Sequence, residues 1–240
     1  MNPNQETRSP QEAVIHFLTA PFRGRTYANL LYLALAFPLG LAYFLLLTVG
    51  LSLGIGLTII WIGLGILALV FATSWGITAL ERWMAIQMLG AEVPPMAPAP
   101  APSPAGFWQT VKSFLANPVT WKGMSFHLLK LPLGIVTFAV TTFLVALTAS
   151  FLSAPLVQAF GWGDEGFGFE MTVGRWIVDT AGEAWLCFLI GLVLGVISLN
   201  LLNGLALVWK HFAAFMLGSA RFAAPQAPAG PSPELQAAPA

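Results

Sequence analysis

The residues with most scope for chemistry stand in one stretch, FLSAPLVQAFGWGDEGFGFEMTVGRWIVDT, which occupies most of residues 151–182. Trp162, Phe167, Phe169 and Trp176 are interleaved there with Asp164, Glu165, Glu170 and Asp179, against the single base Arg175. Carboxylates attract a cation by charge and ring faces attract it through their quadrupole, so Trp162, Asp164, Glu165, Glu170, Arg175 and Trp176 form a candidate site for a cationic or amphipathic ligand. The same composition suits a lid whose aromatic rings rest at a lipid boundary, where Trp is enriched. Calcium is a poor fit, because the acids lack the spacing of a twelve-residue calcium loop.

Other chemistry is sparse. His16, His127 and His211 are scattered, and the lone Cys187 reads as a small buried hydrophobe. There is no H-E-x-x-H pair, no phosphate loop of the G-x-x-x-x-G-K-[ST] type and no G-x-S-x-G turn. The expectation is therefore no catalytic residue, no metal, no cofactor and no enzyme. Lys130, near the start of an apolar run, has two readings: a group lining a polar pathway, or a long side chain that snorkels to the interface.

The elements that must carry these residues follow from composition. A chain of 240 residues that is 57% hydrophobic and 8% charged cannot cover a globule with polar surface, so the bilayer is its expected surrounding. Ten basic and ten acidic residues cancel, which removes any bulk attraction to nucleic acid. About 20 apolar residues cross a hydrocarbon core. Four stretches are long enough: 28–50, 57–80, 125–150 and 183–208. Nine of the ten basic residues, Lys130 included, fall on one side of these spans and only Arg175 on the other. By the positive-inside rule this makes a multi-pass protein of the cell membrane with both termini cytoplasmic.

The expected organisation is a cytoplasmic segment with an interfacial helix at 1–27, a first hairpin at 28–90 and a Pro/Ala-rich disordered linker at 91–106. An interfacial amphipathic helix at 107–124 follows, then a second hairpin at 125–220 carrying the external insertion at 151–182, and a disordered tail at 221–240. The fold class is all-α: four transmembrane helices as two parallel-repeat hairpins, each with a Pro-kinked first helix.

The repeat is visible in FPLGLAYF (37–44) and LPLGIVTF (131–138), which align at a separation of 94 residues and pair Pro38 with Pro132 and Gly40 with Gly134. The exits of the second helices, MLG at 88–90 and at 216–218, align at 128. Copies that each cross twice share one orientation and should be related by an axis along the membrane normal. Each proline removes a backbone donor and should bend its helix, either as a packing kink or as one of a matched pair of hinges. The glycines allow a neighbouring helix to approach closely. In the last span Gly191 and Gly195 should do the same, Asn200 and Asn203 should bond across helices, and Thr180 with Glu183 has capping-box spacing.

The order T-[YW], LLYL, FPLGLAYF, GLSLG, ALERWMA, a Pro-rich gap, TWKG, LLKLPLG and VDT before EAWLCFLIGLVL resembles the putative sensor domain family, a four-helix membrane domain usually found N-terminal to actinobacterial-type sensor histidine kinases. The resemblance covers about residues 14–220 and rests most on Pro38, Leu39, Gly40, Pro132, Leu133, Gly134, Val178, Asp179 and Thr180. It implies a membrane input domain with no catalytic residues to transfer. No kinase module follows Phe222, so the expected function is signal input through a separate partner, a kinase or other signalling or transport component, or through a second copy. A small transporter or membrane-assembly subunit handling an apolar or lipid-like substrate is the alternative.

Overall fold

The computed structural model describes residues 10–94, 109, 112, 116–160, 172–173, 176–177 and 180–218. A short helix α1 (Pro10–Leu18) and a 3-10 turn (Ala20–Phe22) lead into α2 (Gly24–Gly56). A second 3-10 turn (Leu57–Ile60) reverses the chain into α3 (Ile62–Gln87). Then come α4 (Pro118–Ala159), the two-residue strands β1 (Thr172–Val173) and β2 (Trp176–Ile177), and α5 (Ala181–Leu217).

Four helices, α2 to α5, are long and apolar enough to cross a membrane. Their outer faces are hydrophobic and exposed: Leu45, Leu69, Val136, Phe143, Val193 and Val208 all point away from the protein. Such a surface is stable only with hydrocarbon as its solvent, since the helices satisfy their own backbone groups. The protein is thus a multi-pass membrane protein.

The helices run further than apolar length alone suggests. At 33, 26, 42 and 37 residues, each exceeds the ~20 needed for a crossing. Because α4 begins at Pro118, the first part of that helix replaces the end of the separate interfacial helix expected at 107–124. Residues 151–159, expected in the external insertion, are its last turns. Asn117 fixes its start, its side chain accepting a hydrogen bond from the Val119 amide at 3.0 Å. At the entry to α5 both bonds of a capping box form, Thr180 N–H to Glu183 at 3.1 Å and Glu183 N–H to Thr180 Oγ1 at 3.3 Å.

One departure from an all-helical chain is the antiparallel ribbon, in which Thr172 pairs with Ile177 and Val173 with Trp176. It lies in the segment between α4 and α5, where Thr172, Val173, Trp176 and Ile177 are all of the β-branched or aromatic types that favour strand over helix.

Helices α2 and α4 cross at the repeated Pro-Leu-Gly phrase. A Cβ added at Gly40 would lie 2.9 Å from the Lys130 carbonyl oxygen and 3.1 Å from Leu131 Cα. One added at Gly134 would lie 2.7 Å from the Ala36 carbonyl oxygen and 3.1 Å from Phe37 Cα. Backbone therefore rests on backbone from both sides, a contact only glycine permits. Pro38 and Pro132 stand inside α2 and α4 beside this crossing, and α4 also contains Pro155. Between α4 and α5, Gly191 faces Phe151 and Leu152, and Gly195 faces Thr148.

Candidate functional site: a buried charge pair between α3 and α4

Helical spacing brings polar groups together inside the bundle. On α3, Ser74, Thr78 and Glu81 fall on one face; on α4, His127, Lys130, Thr137 and Thr141 do; all are buried. From α2, Tyr32, Ala36 and Tyr43 turn toward them.

At the centre Lys130 Nζ meets Glu81 Oε1 at 2.5 Å, with both side chains 0% exposed. Tyr43 donates to the same carboxylate oxygen at 2.8 Å, and Tyr32 OH stands at a long 3.5 Å from Oε2. The ammonium is also boxed by rings, with the centroids of Tyr32, Tyr43, Phe126 and Trp209 lying 5.1, 5.5, 5.9 and 5.9 Å from Nζ. Ring faces offset part of the hydration that a buried cation gives up. His127 Nε2 lies 3.5 Å from Thr78 Oγ1, and its Nδ1 has no partner among the described residues.

Lys130 therefore does not snorkel. It sits more than three turns into α4, and its ammonium is buried against the Glu81 carboxylate. Glu81 carries no site signal in the hydropathy of the sequence, because the apolar run of the second span ends at residue 80, whereas α3 continues to Gln87. Arg82, expected beyond that span, lies within α3; its guanidinium donates to the carbonyls of Val93, Pro94 and Leu217, holding the chain after α3 and the end of α5 together. The signal available was the helical register that puts Glu81 on one face with Ser74 and Thr78.

Further polar contacts come in look-alike couples. Trp75 Nε1 donates to Thr120 Oγ1 at 3.2 Å, and Asn203 Nδ2 donates to Thr26 Oγ1 at 3.1 Å. Tyr43 donates to Glu81, and Trp209 Nε1 donates to Thr137 Oγ1 at 2.9 Å. Asn200 bonds the Phe17 carbonyl at 2.9 Å, tying α5 to α1.

A family model described as Putative sensor matches residues 32–217, which includes both Pro-Leu-Gly phrases, Glu81, Lys130 and the four aromatic rings. The chain belongs to the Putative sensor family. No curated protein and no solved structure matches the chain. The Putative sensor match begins at Tyr32 and ends at Leu217, so the whole buried cluster falls inside the family's common region. Of the outer-loop residues expected to bind a ligand, Trp162, Asp164, Glu165, Glu170 and Arg175 lie outside the described residues, and Trp176 is described only as part of β2.

Proposed function

We propose that the protein is a signal-input unit of the cell membrane, with both termini cytoplasmic, that passes its state to a separate protein partner. It is built from two hairpins, α2–α3 and α4–α5, related by a pseudo-two-fold axis along the membrane normal, and the Glu81–Lys130 pair latches one to the other.

The observation that carries this reading is the pair itself, which crosses from the second helix of one hairpin to the first helix of the next. Moving the hairpins apart would leave two unpaired charges in a medium that cannot solvate them, whereas the aligned state satisfies both. Such a contact favours discrete arrangements over gradual drift, as a switch requires. The pseudo-symmetry is supported by the matched contacts, since Thr26 and Thr120, like Gly40 and Gly134, are 94 residues apart, and Trp75 and Asn203, like Glu81 and Trp209, are 128 apart. The charge breaks that symmetry. Lys130 corresponds to Ala36, and Glu81 to Trp209, so one half of the bundle holds an ion pair where the other holds a small residue and an indole. Pro38 and Pro132, beside the crossing, would serve as the bending points of the same movement.

The test is purification in nanodiscs followed by mass spectrometry of bound proteins. A kinase, transcription regulator or transport component should accompany the protein, and its output should change when Lys130 is replaced by Met. Solute flux through vesicles containing the protein alone would instead support transport of an apolar substrate, a reading favoured by the groove of about 520 Å³ beside Leu18, Tyr27, Thr148 and Gly195.

A further inference from the structure

A second pocket, of about 400 Å³, lies between the first turns of α2, the last turns of α5 and the chain leaving α3. Arg25, Asn29, Glu92, Asn203 and Lys210 supply its polar groups, and Leu207 forms its apolar lip. Among the described residues neither Arg25 nor Lys210 makes an ion pair, and against their two positive charges the pocket lining holds one carboxylate, Glu92, so the pocket is net positive. Asn29 donates to Asn203 at 2.8 Å, but its own Oδ1 is buried with no partner. The pocket therefore offers two charges for an anion and two acceptors, Asn29 Oδ1 and the Glu92 carboxylate, for a donor.

We propose that this pocket binds the headgroup of an anionic phospholipid that carries hydroxyls beyond its phosphate, of the phosphatidylglycerol type. The phosphodiester lies against Arg25 and Lys210, and the headgroup hydroxyls donate to Asn29 Oδ1 and Glu92. A bare phosphate would satisfy the cations as well, but the second negative charge of its dianion would be repelled by Glu92 more strongly than the single charge of a phosphodiester. The position is right for a lipid. Arg25 is the second residue of α2 and Lys210 lies two turns before the end of α5, so the pocket sits at headgroup level. Leu207, exposed on the outside of α5, would receive the first part of an acyl chain. The inference does not depend on the sensor reading.

Native mass spectrometry of the full chain, released from nanodiscs of mixed phosphatidylglycerol and phosphatidylcholine, tests it. Wild-type protein should retain phosphatidylglycerol at least about ten-fold over phosphatidylcholine, and Arg25→Gln with Lys210→Gln should erase that preference. Glu92→Gln, a change at an exposed position, should reduce discrimination against phosphatidic acid. Equal retention of both lipids by the wild type, or a preference that survives the double substitution, overturns the proposal. So does displacement of phosphatidylglycerol by millimolar inorganic phosphate, which would make the free anion the ligand.

Discussion

Lys130 reaches out of α4 to Glu81 of α3, so an ion pair in the core joins these two helices. The same carboxylate accepts a hydrogen bond from Tyr43 of α2. Glu81 is therefore the point at which the packing of α3 on α2 and of α3 on α4 become one problem.

Removing one member should cost far more than removing both. Lys130→Met or Glu81→Leu alone leaves a buried charge unpaired and should destabilise by about 3–5 kcal/mol, whereas the double substitution should recover most of this loss. Denaturant-induced unfolding in detergent measures the four proteins of the cycle. Single losses that simply add would show that the two groups are not coupled.

The crossing glycines should be intolerant in equal measure. Gly40→Ala and Gly134→Ala each drive a methyl group onto a carbonyl oxygen of the facing helix and should cost about 1–3 kcal/mol. Gly76→Ala, where nothing lies within 4 Å, should be neutral or gain up to ~1 kcal/mol of helix propensity. Melting temperatures in nanodiscs separate the two outcomes.

The hydrogen bonds donated by Trp209 and Tyr43 should differ in the cost of breaking them. Thr137→Val leaves the indole N–H unpaired in the core and should cost about 1–3 kcal/mol. Tyr43→Phe removes one donor from Glu81 while Lys130 remains, so its cost should be nearer ~1 kcal/mol. Unfolding measured on both variants checks the order.

Sidedness has a direct readout. With the buried Cys187 giving no background, an impermeant maleimide applied to intact cells should label Ile59→Cys, at the α2–α3 turn, and spare Phe22→Cys and Phe215→Cys. Labelling of Phe22→Cys and not Ile59→Cys would reverse the orientation.

Much of this architecture could be read from the chain, because apolar length alone identifies a crossing and the phrase around Pro38 and Pro132 recurs almost unchanged. What escaped was the interior. Lys130 lies 49 positions from its carboxylate, and no local rule relates a base near the start of one span to an acid near the end of another. Hydropathy marked Ala-Leu-Glu-Arg-Trp as a boundary, although helical register places Glu81 inward and Arg82 toward the α5 terminus. The acids of residues 151–182 are conspicuous by their density, whereas a single acid on a polar helix face is not.

The bare crossing at Gly40 and Gly134 has a mechanical corollary. Each glycine stands sixteen residues from the start of its helix, an arm of about 24 Å, and Gly40 has the same sixteen residues beyond it. With no side chains to cushion it, this contact is a pivot. The far arm of α4, twenty-five residues or about 38 Å, is the longest of the four, so a tilt about the crossing carries its tip furthest.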